Sequence, residues 1–303
     1  MVDDILFITL DSCRFDTFSK ACVRGLLPNI SSIGPLHKAL SPSYFTYGSH
    51  AAFWMGFTPG VIGCEAPLLN PKVGKLFRMS YSGSAKVKPD QGFLLEGKNI
   101  IDGLSRSGYS TLGTGSVEWF NTSSETGSVL SEPFDYFWFS GNTWSLTSQL
   151  SWIDECCSQL PKEKPKFVFL NVGETHVPYW HQGAGWECWP SPCVPFGDEH
   201  SSAAESSRRQ TACLEWVDHQ LAPLLDQFRE GTVLICADHG DCWGEDGLWE
   251  HGISHPATLT VPLLLRVRGL PVGLSQSVVA IDSNPSRFRT ALLRLKRWLQ
   301  TRV

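Results

Sequence analysis

The sequence predicts an α/β fold, a mostly parallel sheet sandwiched between helices, and three observations predict it. Ile5–Leu10 (ILFITL), Phe167–Val172 (FVFLNV) and Thr232–Ala237 (TVLICA) are short, continuous apolar runs rich in β-branched and aromatic residues. That is the profile of strands buried on both faces. Segments with apolar residues at helical spacing lie between them, the alternation of a parallel sheet covered by helices. Each run also stops at polar residues able to do chemistry: Asp11, then Glu174 to His176, then Asp238 and His239.

The remaining elements follow in order. Residues 94–107 (LLEGKNIIDGLSRS) have helical spacing and stop at Gly108, a good C-terminal signal. Residues 203–229 read as a long amphipathic helix carrying Leu214, Val217, Leu221, Leu224, Leu225 and Phe228. Residues 262–267 (PLLLRV) are a weaker fourth strand, and residues 287–299 a basic amphipathic helix. Residues 81–91, rich in Ser, Gly and Lys, read as a surface loop. Residues 180–207, rich in Gly, Pro, Trp and Ser, read as an insertion loop placed to form a lid. With 303 residues and no linker that forces a cut, one domain over 1–303 is expected.

Composition narrows the function classes. Net charge is −5, from 25 basic and 30 acidic residues, which gives no electrostatic footprint for nucleic acid. No apolar run reaches the roughly 18 residues of a membrane span. The N-terminus lacks the basic start and long apolar stretch of an export signal. Ten cysteines are scattered without a framework, so reduced thiols, a cytoplasmic location and no membrane partner are expected. Cys188 and Cys193 resemble half of a metal knuckle, but no second pair accompanies them.

In such sheets ligands bind beyond the C-terminal strand ends, so the polar clusters are expected to converge. Asp238, His239, Gly240 and Asp241 suit a divalent cation, and equally a turn. Asp11 sits at a common ligand position, which is also a common helix N-cap position. Arg14 and Asp16 pair at the surface, or Arg14 orients Asp11. A turn-rich segment from Ser41 leads into a helix at Thr46 that a glycine, Gly56, closes. A hydroxyl there, Thr46 or Ser49, faces the N–H groups and dipole that stabilise anions, or serves as a plain cap.

Five segments in register resemble the sulfatase / alkaline phosphatase superfamily over roughly residues 3–268. Leu10 to Asp16 resembles its LDxxRxD pattern. The CxPSRxxxxTG segment falls on the stretch ending at Gly56, with Thr46 at the nucleophile, Ser49 at the serine and His50 at the arginine. Gly108 to Thr111 matches GYxT, and His176 to Tyr179 matches HxPY. Residues 237–266 match SDHGExxGxxGLWxHG followed by VPLxxR. The resemblance implies an alkaline-phosphatase-like fold. After Arg266 too few residues remain for the family's usual C-terminal subdomain, so a truncated one is expected. It implies Asp11, Asp238, His239 and Thr46 as metal ligands, and Thr46 as nucleophile. His176 and His251 would bind the substrate anion or protonate the leaving group. Ser49 and His50 join His176 in substrate binding, although a histidine in place of arginine puts that role in doubt.

The departures select the chemistry. A sulfatase uses formylglycine made from cysteine or serine. Thr46 carries a methyl on Cβ and cannot be converted, and Cys13 and Cys64 lie in other contexts. A small-molecule phosphate ester, monoester or diester, is therefore the expected substrate, cleaved through a phospho-threonine. The cofactor expected is a divalent ion, zinc, manganese or magnesium, at least one. Glu174, His181 and His255 are spare ligands for a second. Two alternatives stand beside this: a phospho-group transferase on the same site, and a non-catalytic metal- or anion-binding member. The sequence does not address the oligomeric state.

Overall fold

The computed structural model describes residues 3–56 and 98–274. Expectations for residues 81–91 and 287–299, Cys64 and the C-terminal subdomain lie outside these.

The strands are β1 (Ile5–Leu10), β2 (His37–Leu40), β3 (Ser110–Gly115), β4 (Tyr136–Phe139), β5 (Lys166–Val172), β6 (Thr232–Ala237), β7 (Cys242–Trp243), β8 (Trp249–Glu250), β9 (Thr260–Val267) and β10 (Leu270–Pro271). The helices are α1 (Phe15–Val23), α2 (Pro28–Ser31), α3 (Thr46–Met55), α4 (Ile100–Arg106), α5 (Glu125–Ser131), α6 (Leu146–Gln159), α7 (Ala203–Gln227) and α8 (Pro256–Leu259). The main sheet runs β10-β9-β6-β1-β5-β3-β4, with β2 also on β9. Its centre is parallel: β1 lies between β5 and β6, and β3 between β5 and β4. The expected fourth strand, β9, is antiparallel to β6 and turns that edge into an antiparallel one with β2 and β10.

β1 shows why the run must be apolar throughout. Strand residues alternate faces. Leu6, Ile8 and Leu10 enter one core with Phe18 of α1, Ile30 of α2 and Leu214, Val217 and Leu221 of α7. Phe7 enters the other, with Tyr47 and Trp54 of α3, Ile101 of α4 and Phe169 of β5. Two buried faces leave no position for a solvated side chain, so polarity is confined to the strand ends.

Register does the rest. Leu10 pairs with Val172 of β5 and with Ala237 of β6. The next residues, Asp11, Gly173 and Asp238, therefore emerge side by side at the C-terminal edge. Ser12, at φ 57°, turns the chain sharply after Asp11. The segment 180–202 runs without regular structure before α7 begins at Ala203, so the last five residues of the expected loop are helical. No helix among the described residues is long and apolar enough to cross a membrane.

Ile8 is fully buried on the α1/α7 side, whereas Val23 is 87% exposed. Ile8→Ala is expected to cost about 2–5 kcal/mol through lost transfer energy and a residual cavity, and Val23→Ala within about 0.5 kcal/mol, both by urea unfolding.

Candidate metal centre

Asp11 is held from three sides. Its backbone N–H donates to Val172 (2.9 Å), its carbonyl accepts from Thr175 Oγ1 (2.7 Å), and its Oδ2 accepts from Asn171 Nδ2 (3.2 Å). Asn171, fully buried in β5, also accepts from Ser116 Oγ at 3.0 Å. Sequence reasoning passed over it, although a lone amide inside an apolar run is the signal of a buried polar partner. Gln210 of α7 closes the turn, donating to the carbonyls of Ser12 (3.0 Å) and Thr175 (3.1 Å).

Asp238 is fully buried. Its Oδ1 accepts two backbone N–H groups, from Ser12 (3.1 Å) and His239 (2.9 Å). Its Oδ2 has no hydrogen-bond partner among the described residues. That orphan oxygen lies 3.4 Å from His239 Nε2, which is 3.8 Å from Asp11 Oδ1 and 3.3 Å from Thr46 Oγ1. His239 Nδ1 lies 3.0 Å from the Gly240 carbonyl, which leaves Nε2 bare toward the cluster when the ring is neutral. Gly240 makes this approach possible, since a Cβ there would strike the Ala257 carbonyl.

The electrostatics fit a cation. Burial first, and then the neighbouring Asp11 charge, push the Asp238 carboxyl well above its ordinary range. Burial, and then the charge of His251, lower His239 to about 3, so its imidazole is neutral. Two buried carboxylates side by side resist ionising together; a divalent ion reverses that by supplying the missing charge. Asp11, Asp238 and His239 offer ligand atoms within 4.8 Å of one another. The orphan oxygen, the bare imidazole nitrogen and the mixed oxygen and nitrogen donors fit such an ion.

Thr46 is the first residue of α3, and Phe45 before it provides no side-chain cap. The Thr46 hydroxyl therefore points at His239 rather than serving the helix end. Gly56, at φ 68°, closes the helix as expected.

Ser49 and His50 do not reach the open side of the cluster. Ser49 Oγ donates to the Asp238 carbonyl (2.6 Å), and Ser41 Oγ lies against the same carbonyl. Ser49 thus ties α3 to the end of β6. His50 is fully buried behind Thr46, its ring edge-on to Phe53, Trp54, Phe120 and Phe169. Nδ1 bonds the Thr46 carbonyl (2.8 Å) and Nε2 meets Thr9 Oγ1 (3.0 Å). Burial lowers its pKa to about 4, which favours the neutral ring over the cation that an arginine supplies.

The expected spare ligands also lie elsewhere. His255 caps α8, accepting from Ala257 N at 3.0 Å. His181 stacks on Trp216 of α7 with ring centroids 5.0 Å apart. Glu174 accepts from Leu146 N at the start of α6 (2.9 Å).

Asp241, read in the sequence as part of a cation-binding tetrapeptide or a turn, organises the far side, where it also lies with His239 and His251 in a second group whose ligand atoms are within 4.8 Å of one another. It is fully buried, and its Oδ1 takes the Nδ1 proton of His251 at 2.7 Å. The ring of His251 lies 4.5 Å from that of His239 and 5.2 Å from that of His176. Both expected substrate-binding histidines thus face the cluster. Burial works against charge on this pair, but their mutual hydrogen bond and attraction hold Asp241 below, and His251 above, the ordinary range. Arg14 is no surface ion pair. It is buried over the Trp243 ring (4.3 Å), bonded to Asp16 (2.8 Å), Glu245 (2.6 Å) and the Asp241 carbonyl (3.0 Å).

With this geometry the comparisons can be read. The model of the family described as Sulfatase matches residues 76–283, more than half of the chain. The chain belongs to the sulfatase family. No curated protein matches it by sequence. Among solved structures it is similar to the integral membrane protein lipooligosaccharide phosphoethanolamine transferase A (EptA) of Neisseria meningitidis. The TM-score is 0.56 at 13% identity, over 89% of this chain and 48% of that one. It is also similar to the C-terminal periplasmic domain of phosphoethanolamine transferase EptC of Campylobacter jejuni (TM-score 0.57, 14% identity, 88% of this chain and 79% of that one). A third is the C-terminal periplasmic domain of EptC from Escherichia coli in complex with zinc (TM-score 0.54, 14% identity, 88% and 73%). This sulfatase-family chain therefore spans about half the length of EptA, and at these identities the likeness shows the shared alkaline-phosphatase-like fold. With an integral membrane protein and periplasmic domains carrying this fold, the cytoplasmic location expected from the sequence does not stand, nor does the expectation of no membrane partner rest on it.

Glu174 generates a pH prediction. Burial raises its carboxyl to about 7, against backbone N–H bonds from Leu146, Glu174 and Gly173 that lower it. Its folded value exceeds its unfolded one. The folded state therefore holds an extra proton between about 4.5 and 7, and stability falls as pH rises through that window. The loss is expected to reach about 2–3 kcal/mol by pH 8 and to be absent in Glu174→Gln, by urea unfolding at pH 5 and 8.

Proposed function

We propose that this sulfatase-family chain is a metal-dependent hydrolase of phosphate esters, with Thr46 as nucleophile. One observation carries the reading: the Thr46 hydroxyl lies 3.3 Å from the bare nitrogen of His239, beside Asp238 Oδ2, which has no hydrogen-bond partner among the described residues. Asp11, Asp238, His239 and Thr46 would hold the divalent ion. When bound, the ion would lower the threonine hydroxyl pKa and offset charge on the phosphoryl oxygens.

The chain's own groups perform the rest. The Thr46 hydroxyl gives up its proton to solvent, its Oγ1 attacks phosphorus, and the bond to the leaving oxygen breaks. His251, protonated on both nitrogens with Nδ1–H held by Asp241, gives its Nε2 proton to the leaving oxygen. Water then attacks phosphorus and returns a proton to His251 Nε2, while the phosphorus–oxygen bond to Thr46 breaks and the threonine oxygen takes a proton back from solvent. His176, facing His251, binds the substrate anion. The threonine methyl bars formylglycine, which supports phosphate rather than sulfate esters.

Charge favours a diester. The motif's arginine position is occupied by His50, neutral and enclosed. The second negative charge of a monoester meets no fixed cation at that position. A second reading, transfer of the phosphoryl group to an acceptor alcohol, is supported by the fold shared with two phosphoethanolamine transferases. It uses the same phospho-threonine and differs only in what attacks it.

The test is an assay of the purified chain with zinc, manganese or magnesium on paired aryl phosphate diester, monoester and sulfate substrates. The diester is expected to turn over fastest, and EDTA to stop turnover. Thr46→Ala is expected to lower kcat more than about 10³-fold while Thr46→Ser keeps a measurable rate. Sulfate as the best substrate, or full activity in Thr46→Ala, overturns the reading. Failure to bind any of the three metals leaves the non-catalytic reading. Added glycerol diverting phosphate into a glycerol ester identifies transfer.

A further inference from the structure

We propose that Tyr179 is a positioning residue for His251, acting through Asp241 and itself fixed by Trp243; this rests on the reading of His251 as the leaving-group acid. The Tyr179 hydroxyl bonds Asp241 Oδ2 at 2.6 Å, and Trp243 Nε1 bonds the Tyr179 oxygen at 2.7 Å. His251 Nδ1 bonds Asp241 Oδ1 at 2.7 Å. The bonds at the tyrosine follow from donor chemistry. An indole N–H only donates, so the tyrosine oxygen accepts there. The single tyrosine proton must then go to Asp241. His251 Nδ1 is held against the other oxygen of the same carboxylate, so indole, phenol and carboxylate form one chain that fixes how the His251 ring is turned, with its Nε2 edge away from Asp241.

The chain is enclosed and braced. Tyr179 and Asp241 are fully buried, and Trp243 is 5% exposed. Arg14 lies over the Trp243 ring and bonds the Asp241 carbonyl, while Glu245 accepts from the Trp243 N–H at 2.5 Å. The β7–β8 pair returns the chain so that residue 251 comes back beside residue 241. Tyr179 and Glu250, next to His251, both sit in the left-handed region, at φ 59° and 62°. Such backbone costs about 1–3 kcal/mol per non-glycine residue and persists where its surroundings over-determine it. A tyrosine kept only for packing would need no hydroxyl aimed at a buried carboxylate.

Tyr179→Phe keeps the ring and deletes the hydroxyl. Two readouts on the full zinc-loaded chain test it. The first is the downfield imidazole N–H proton resonance of His251, assigned by its loss in His251→Gln. It is expected in the wild type and displaced or lost to exchange in Tyr179→Phe. The second compares diesters with nitrophenyl and alkyl leaving groups. An alkoxide needs the acid and a nitrophenolate does not. Tyr179→Phe is expected to lower kcat about 10-fold or more on the alkyl diester and little on the nitrophenyl one, with KM and zinc content unchanged. Trp243→Phe, which removes the indole donor, is expected to do the same more weakly.

A His251 signal absent from the wild type, or unmoved in Tyr179→Phe, overturns the proposal whether or not the chain cleaves esters. Equal losses on both diesters with reduced zinc mark a structural role and overturn it too. A signal present in the wild type and displaced in Tyr179→Phe, in a chain that cleaves neither diester, keeps the positioning and removes the hydrolase reading instead.

Discussion

Two carboxylates, Asp11 and Asp238, are forced together at the ends of neighbouring buried strands, and the rest of the centre answers to that crowding. The pairing of Leu10 with Ala237 leaves the next residues no choice but adjacency. Neither can reach water, since both are fully buried. The surroundings manage the charge by giving each carboxylate donors, at both oxygens of Asp11 and at one of Asp238. Asn171 serves Asp11, and two backbone N–H groups serve Asp238. The donors stop at one oxygen of Asp238. The other oxygen faces a neutral imidazole and a hydroxyl, and this unbalanced arrangement is what a cation completes.

Thr46, the proposed nucleophile, belongs to the same arrangement through an indirect route. Thr46 leads a helix whose Ser49 grips the Asp238 carbonyl. The hydroxyl and the carboxylate are thus referenced to one another through a backbone atom as well as through the cluster. His50 fills the space behind them with an uncharged ring in an aromatic cage. The ring packs within the cage and fixes the Thr46 carbonyl, with its Nδ1 3.9 Å from Asp238 Oδ2.

Much of this was legible in the sequence. Runs of uniform hydrophobicity can only be strands buried on both faces, and β1 and β6 have the predicted limits. The residues after them could then be paired by topology alone, and Asp11, Thr46, Asp238, His239, His176 and His251 do converge. What stayed hidden depends on contacts between distant segments. β3, a strand of serine, threonine, glycine and one leucine, has no apolar signature because its small side chains make room for Phe120 and Phe137. The antiparallel direction of β9 follows from its partner, not its composition. Ser49 and His50 sit at motif positions, but nothing local tells that their side chains turn inward. Asp241 looks like a turn residue until Tyr179, 62 positions away, is seen to meet it.

The segment 180–202 is clamped at both ends. Its start is held by the Trp186 indole on the Tyr179 carbonyl (3.1 Å), its middle by Arg209 on the carbonyls of Glu187, Cys188 and Pro190 (3.2–3.4 Å), and its end by Ser206 on the Pro192 carbonyl (3.1 Å). Between these anchors Trp189 and Phe196 stand 65% and 97% exposed. All of these bonds are to backbone carbonyls, which every residue type supplies. Apart from the Trp186 indole, their donors sit on α7, so the path through residues 187–192 depends on that helix more than on the loop's own exposed side chains. Changes at Trp189 and Phe196 would therefore rewrite the loop's outward face while its backbone stays anchored to α7.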